Sequence, residues 1–211
     1  MKLISNLLLT SSGIATTSLL EPVRERIDGY SSAVIVTTAS QEHKEKSKHA
    51  IATRISLLAL GLEQVDFLDV EFEDASKLLN YDVIYIVGGH PCYLMHHIMR
   101  SGAGSILREI NAAGRAFIIG SSAGAVVLGP DLMIVEAFDS DLANGYGKLE
   151  GVGLFPFTIL PHVNRWEEKL PNLNEKLKTF AEDTGLRVEL ICDGEGVFVG
   201  LDGTVVEYRR E

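Results

Sequence analysis

Five short runs of mainly apolar residues constrain the fold of this chain more than any other feature of its sequence. They occupy residues 3–9, 33–37, 65–70, 83–87 and 116–119, and each is bounded by polar or turn-forming residues. Apolar side chains fall on both faces of these runs, which is typical of strands that are buried on both sides. The runs therefore predict the strands of a parallel sheet.

Helical stretches lie between these runs. Two sets of apolar residues recur at helical spacing, and the second set ends before Gly185, a residue suited to closing a helix. The sets are Ile51, Ile55, Leu58 and Leu62, and Leu170, Leu173, Leu177 and Phe180. The alternation of strand and helix predicts an α/β fold with a doubly wound, mostly parallel sheet.

The pattern changes after residue 130. Shorter strands are predicted at residues 133–137 and 186–192, followed by a hairpin of residues 196–200 and 204–208 around a turn at 201–203. The C-terminal strands are therefore expected to make the sheet mixed. We expect a single domain over residues 1–211, because no repeat or long linker divides the chain.

Composition excludes several classes of protein. The chain has 211 residues, 46% of them hydrophobic, and a formal net charge of −10, which argues against nucleic-acid binding. Its apolar stretches fall short of the roughly 20 residues that span a membrane. The two cysteines, Cys92 and Cys192, lack the spacing of a disulfide framework or metal site, and no phosphate-binding glycine motif is present. We expect a cytoplasmic protein without cofactor, metal or membrane contact.

The last of the five runs leads into the sequence Gly-Ser-Ser-Ala-Gly at residues 120–124. The spacing G-x-S-x-G is typical of a strand that turns sharply into a helix and presents its central serine, here Ser122, at a strained apex. The backbone N–H of Ala123 would then face a developing oxyanion. This pattern favours Ser122 as a nucleophile, although a glycine turn that merely packs a strand against a helix has the same spacing.

A serine hydroxyl needs a base, and histidine is the side chain whose ordinary pKa suits that task at neutral pH. Four of the six histidines fall in stretches predicted to be helix surface, which leaves His90 and His162. His162 ends an extended apolar segment and is the predicted base, against the alternative of a buried structural histidine. His90 follows the run 83–87, and we expect it on the oxyanion or substrate side of the cleft.

The predicted base needs a carboxylate to hold its tautomer. Asp193 and Glu195 lie in a glycine-flanked connection between two apolar runs, and either could serve; an ordinary acidic turn is the alternative. The order serine, histidine, acid along the chain differs from the α/β-hydrolase order serine, acid, histidine. A straightforward lipase or esterase is therefore excluded.

Together these segments resemble the peptidase E family, serine peptidases that include aspartyl dipeptidases and cyanophycinases. The similar segments are residues 9–13, 37–40, 86–89, 120–125 and 153–162. The resemblance implies a fold like that of class I glutamine amidotransferases and a triad of Ser122, His162 and Glu195. It also implies oxyanion donors from the backbones of Gly89 and Ala123.

The chain departs from the family pattern at residues 88–91. The family usually has Gly-Gly-Asn followed by threonine, whereas this chain has Gly-Gly-His-Pro. A backbone donor at Gly89 survives the change because it needs only an N–H, but a preference for aspartate cannot be carried over. An acidic substrate group would need a cation, and Arg165 is the nearest candidate, unless it pairs with a carboxylate such as Glu167.

The leading hypothesis is a serine-dependent hydrolase that cleaves small peptide or isopeptide-like amide bonds through an acyl-enzyme. Its expected partners are a small peptide substrate and a second copy of the chain in a homodimer. In a second hypothesis the chain is a catalytically silent module that binds a small molecule. In a third, Cys92 is the nucleophile, but Cys92 does not lie at a strand-to-helix apex.

Overall fold

A seven-stranded sheet forms the centre of the structure, a computed structural model that describes residues 5–14, 16–148, 150–200 and 204–208. The strands are β1 (Ser5–Thr10), β2 (Ser32–Val36), β3 (Gln64–Leu68), β4 (Val83–Ile86), β5 (Phe117–Ser121), β6 (Thr158–Pro161), β7 (Val188–Ile191), β8 (Gly196–Gly200) and β9 (Val205–Tyr208). The helices are α1 (Thr17–Arg26), α2 (Lys48–Ala59), α3 (Pro91–Ser101), α4 (Ala103–Ala113), α5 (Ala123–Val127), α6 (Met133–Phe138), α7 (Ser140–Ala143), α8 (Val163–Lys169) and α9 (Leu173–Thr184). Short 3-10 helices span Lys44–Lys46 and Ala75–Asn80.

The main sheet has the strand order β3-β2-β4-β5-β1-β8-β9. Its first five strands pair in parallel, and β8 and β9 add an antiparallel edge next to β1. The predicted α/β fold with a mostly parallel sheet and mixed C-terminal strands is confirmed. Residues 3 and 4 of the first run and the predicted turn at 201–203 lie outside the described residues.

A second, small sheet pairs β6 with β7 in parallel. The sequence predicted the strand at 186–192 but placed it in the main sheet. Side chains of β6 pack with α5 on one side of the main sheet, where Ile159 and Val127 belong to the same core. This small sheet brings residues after 160 to the carboxyl end of β5.

Apolar side chains of the central strands alternate between two cores, one on each side of the main sheet. Leu9 and Ile118 belong to one core, and Leu8 and Ile119 belong to the other. Each fully buried aliphatic side chain contributes about 1.5–3 kcal/mol to stability. The sheet is therefore held rigidly from both sides, and the carboxyl ends of its parallel strands meet at one edge.

The prediction of a strand at residues 133–137 is wrong, because this segment forms α6. The N–H of Met133 donates to the side chain of Asp131 (2.8 Å), which satisfies one of the free donors at the start of the helix. Ile134, Val135 and Phe138 are buried on the same helical face. A short run of apolar residues fits a strand or a buried helix equally well, which explains the error.

The helix predicted from Ile51, Ile55, Leu58 and Leu62 is present as α2, but it ends at Ala59, before the buried Leu62, and the face predicted from the first three residues is wrong. These three side chains are 46%, 64% and 42% exposed. The inward positions of α2 are Ala50 and Leu57, each fully buried. Helix α9 buries Leu173 and Phe180 and ends at Gly185 in the left-handed region, as predicted, whereas Leu177 is only partly buried and Leu170 precedes the helix.

No helix in the described part of the chain is long and apolar enough to cross a membrane.

Candidate active site

Ser122 occupies a sharp turn between β5 and α5. Its backbone has φ 52° and ψ −116°, a conformation that costs energy for a residue with a side chain. The N–H of Ser122 donates to the carbonyl of Thr10 (2.9 Å), and the carbonyl of Ser122 accepts from the N–H of Ala125 (2.9 Å). These bonds fix the strand-to-helix turn that the motif predicts.

The two glycines of this segment let three stretches of backbone approach closely. A Cβ on Gly120 would lie 2.6 Å from the carbonyl oxygen of Gly124. A Cβ on Gly124 would lie 2.2 Å from the carbonyl oxygen of Ile86 in β4. Because no side chain fits at either position, the glycines serve close packing as well as the presentation of Ser122.

His162 follows β6 and directs its imidazole at Ser122. Its Nε2 atom lies 2.8 Å from Ser122 Oγ. The backbone of His162 has φ 61° and ψ 34°, in the left-handed region. Among the described residues, the non-glycine residues with positive φ are Lys44, Ser122 and His162. Strained backbone therefore collects at this pair, as it does at functional sites.

The carboxylate that contacts this imidazole belongs to Asp193. Asp193 Oδ1 lies 2.6 Å from His162 Nδ1, and the N–H of Asp193 donates to Asn164 Oδ1 (2.9 Å). The side chain of Glu195 turns back on its own loop, where it accepts a hydrogen bond from the N–H of Cys192 (3.0 Å). The structure thus brings the alternative acid, Asp193, to the base in place of Glu195, the acid implied by the resemblance.

The surroundings of Asp193 favour its charged form. Burial alone would raise its pKa, but hydrogen bonds from His162 and Ser11, the charge of His162 and a bond from Arg165 lower the pKa to about 2. Its side chain is 20% exposed. Asp193 is therefore a carboxylate at neutral pH and can only accept hydrogen bonds.

Two backbone N–H groups lie beside Ser122 without an acceptor in the described part of the chain, those of Gly89 and Ala123. Gly89 has φ 150°, and a Cβ there would lie 2.2 Å from the carbonyl oxygen of Ala39. A Cβ on Gly88 would lie 2.9 Å from that of Ser122. The glycine loop after β4 is thus in contact with the serine turn, at the position that the resemblance implies for oxyanion donors.

A cavity of about 290 Å³ opens at Ser122. Gly88, Gly89, His162 and Arg165 line it from the ends of the strands. The opposite wall comes from the segment leading into α2 and from α2 itself, and it carries hydroxyl and imidazole groups: Ser40, Ser47, His49, Thr53 and Ser56. The cavity is small, and Ser122 and His162 both line it.

Arg165 lies at this cavity with its side chain 56% exposed. Its Nε donates to Asp193 Oδ2 at 2.7 Å. Arg165 therefore pairs with a carboxylate of the chain, as one of the two predictions stated. That carboxylate belongs to Asp193 and not to Glu167.

His90 does not line this cavity. Its Nδ1 accepts the N–H of Tyr93 (3.2 Å), so that His90 caps the start of α3. Its ring centroid lies 5.4 Å from that of Tyr146, and burial lowers the pKa of the imidazole. This position does not support the predicted role of His90 on the oxyanion or substrate side of the cleft.

Cys92 is 2% exposed and belongs to the core. Burial raises the pKa of its thiol to about 11, so the reactive thiolate is absent at neutral pH. The described residues contain no group of three histidine, cysteine or acidic side chains arranged to hold a metal ion.

Ser11, for which the sequence predicted no role, follows β1 and contacts both His162 and Asp193. The rule that sites gather at the carboxyl ends of strands points to it, because β1 ends at Thr10 beside Ser121 of β5.

Comparison with known proteins identifies the family. The sequence profile of peptidase family S51 matches residues 7–206. The chain belongs to peptidase family S51. The uncharacterized peptidase Lin0382 of Listeria innocua is 32% identical over 200 residues, which cover 92% of each chain. The uncharacterized peptidase Lmo0363 of Listeria monocytogenes is 32% identical over 164 residues, 75% of this chain and 78% of that protein.

Two solved structures share the fold of this chain. The crystal structure of a candidate peptidase E protein from Listeria monocytogenes EGD-e has a TM-score of 0.76 and 27% sequence identity, and the match covers 98% of this chain and 99% of that one. A peptidase from an acI-B1 Actinobacterium shares the fold, with a TM-score of 0.59, 20% identity and coverage of 93% and 84%. The resemblance to peptidase E proteins is confirmed, and family membership supports a peptidase function.

Proposed function

We propose that this S51 peptidase is a serine-type enzyme that cleaves small peptide or isopeptide-like amide bonds through an acyl-enzyme. The observation that carries the proposal is the 2.8 Å contact between Ser122 Oγ and His162 Nε2. The 2.6 Å contact between His162 Nδ1 and Asp193 extends it to a triad. This is the arrangement by which an imidazole activates a serine hydroxyl.

The charge of Asp193 decides the direction of the hydrogen bonds. Because the carboxylate has no hydrogen to donate, Nδ1 of His162 carries the hydrogen between them. The lone pair on Nε2 then accepts the hydrogen bond of the Ser122 hydroxyl. This tautomer is the one that can remove the serine proton.

In the proposed reaction, Nε2 of His162 takes the hydroxyl proton while Ser122 Oγ bonds to the substrate carbonyl carbon. The N–H groups of Gly89 and Ala123 stabilise the oxyanion of the tetrahedral intermediate. His162 next donates its proton to the leaving amine as the C–N bond breaks, which leaves an acyl group on Ser122. Water then repeats the same proton transfers and releases the acid.

The cavity supports a short substrate. Its volume of about 290 Å³ lies just below the range of roughly 300–1,000 Å³ for small-molecule sites. Arg165 binds Asp193 through Nε only, and its terminal NH₂ groups have no acceptor in the described part of the chain. We assign these groups to a carboxylate of the bound peptide, whether terminal or on a side chain.

A fluorophosphonate probe tests the proposal, because it forms a covalent bond with an activated serine. We expect the probe to label the wild-type protein at Ser122, located by mass spectrometry, and to leave Ser122→Ala unlabelled. With a dipeptide library that includes acidic and β-linked aspartyl members, Ser122→Ala should lower turnover at least about 10³-fold. A wild-type protein that resists the probe and hydrolyses no dipeptide would indicate a silent binding module instead.

A further inference from the structure

A buried serine, Ser11, connects the acid and the base of the proposed triad. Its side chain is 0% exposed. Ser11 Oγ donates to Asp193 Oδ1 (2.8 Å), accepts the backbone N–H of His162 (2.8 Å) and lies 3.1 Å from His162 Nδ1. One hydroxyl thus contacts both partners, at sequence separations of 182 and 151 residues.

The chemistry of a hydroxyl fixes the role of each contact. A serine hydroxyl has one hydrogen and two lone pairs. Because its hydrogen is given to Asp193, Ser11 presents only lone pairs to His162. Ser11 therefore leaves the hydrogen on Nδ1 of His162 in place. This is the tautomer in which Nε2 accepts a hydrogen bond from the Ser122 hydroxyl.

The contacts of Ser11 connect residues that follow strands of two different sheets. Ser122 follows β5 of the main sheet, whereas His162 and Asp193 follow β6 and β7 of the small sheet. Ser11 follows β1, which pairs with β5 in the main sheet. Its bond to the His162 N–H also holds the left-handed backbone conformation at that residue.

We infer that Ser11 is a positioning residue, whose hydroxyl holds His162 and Asp193 of the small sheet in line with Ser122 of the main sheet. The inference rests on the proposed function, since it concerns the reactivity of Ser122. The same Ser11–Asp193 hydrogen bond is one of the interactions that lower the pKa of this carboxyl, so it also helps to keep the acid charged.

The test measures how fast a fluorophosphonate probe labels Ser122 as its concentration is raised. Ser11→Ala should lower the maximal labelling rate by about 10- to 100-fold, the effect of losing a hydrogen bond to a charged group. The probe concentration that gives half the maximal rate should stay the same, because Ser11 acts on the triad rather than on probe binding. Ser11→Cys keeps a group at the γ position but replaces the hydroxyl with a weak donor. It should also lower the rate, and it covers the case in which Ser11→Ala does not fold.

Thr38→Val is a matched control. The Thr38 hydroxyl is as buried as that of Ser11, donates to Asp69 (2.8 Å) and accepts the N–H of Val70 (3.0 Å). Its removal therefore deletes one bond to a carboxylate and one from a backbone N–H, away from the triad. We expect Thr38→Val to lower the melting temperature and to keep the wild-type labelling rate.

Two results overturn the inference and leave the proposed function intact: wild-type labelling rates in the folded Ser11 variants, or an equal loss of rate in Thr38→Val. Failure of the probe to label the wild-type protein overturns both.

Discussion

At Asp193, three donors share two carboxylate oxygens. Oδ1 accepts from His162 and Ser11, and Oδ2 accepts from Arg165. These three bonds keep the carboxyl ionised and fix its orientation, which are the two properties that a triad acid needs. Glu195, two residues away, shares the loop but makes a structural bond to Cys192.

Substitution of each acid by its amide separates these two roles. Asp193→Asn should lower turnover or probe labelling by about 10⁴-fold, because an amide can donate to Nδ1 and so favour the wrong tautomer. Glu195→Gln keeps an oxygen for the Cys192 N–H and should cause a far smaller loss. Rate measurements on both variants check this, and a larger loss in Glu195→Gln would make Glu195 the acid.

The sequence could not decide between these acids. Both lie in one short turn, and a shift of two residues changes which side chain faces the base. The choice depends on where β7 ends relative to β6, a register between strands about 30 residues apart that no local pattern reveals.

Among the elements, α5 depends most on close backbone packing. A Cβ on Gly124 would lie 2.2 Å from the Ile86 carbonyl oxygen, and backbone cannot move aside easily. We expect Gly124→Ala to lower the free energy of unfolding by about 3 kcal/mol or more. In Gly104→Ala the new Cβ would meet the Ile98 side chain at 3.4 Å, an ordinary contact, and should add up to about 1 kcal/mol of helix stability. Denaturant unfolding of both variants tests the contrast, and equal stabilities would refute it.

Helix α2 gives a second contrast between neighbouring residues. Ile55 is 64% exposed and Leu57 is 0% exposed. Ile55→Lys should change the free energy of unfolding by no more than about 0.5 kcal/mol, whereas Leu57→Ala should cost about 2–5 kcal/mol. Urea titrations measure both, and a large loss in Ile55→Lys would restore the buried face that periodicity predicted.

Elements with strong local signals were predicted well, and those with ambiguous signals were not. The five parallel strands and the turn at Ser122 follow from apolar runs and glycine positions, although β3 is an edge strand that is only partly buried. By contrast, α2 carries apolar residues on more than one face. Periodicity predicted that Ile51 and Ile55 are buried, whereas the buried residues are Ala50 and Leu57. Which face is covered depends on the rest of the fold.

At the scale of the whole molecule, several carboxyl groups stabilise the fold in their charged form. Asp82 is an example: burial would raise its pKa, but the N–H and hydroxyl groups of Ser31 and Ser32 lower it below the ordinary value of 3.8. A lowered pKa in the folded state means that stability is present above pH 3.8 and is lost as the pH falls below it.

We therefore expect the free energy of unfolding to fall steeply below about pH 4. Asp82→Asn should be less stable at pH 7 and show a shallower fall, because it has no proton to take up at this site. Urea unfolding at a series of pH values measures the slope. Asp183→Asn, an exposed position, should follow the wild-type curve; a wild-type slope in Asp82→Asn would contradict the prediction.

The division of the site between two sheets has a consequence for how its reactivity can change. The nucleophile follows β5, whereas the base and acid follow β6 and β7 as one preassembled pair. The contact between Ser122 and His162 therefore depends on how α5 packs against β6, where Val127 and Ile159 belong to one core. Substitutions at the contact between α5 and β6 should therefore lower the catalytic rate as well as the melting temperature, because this contact belongs to the core.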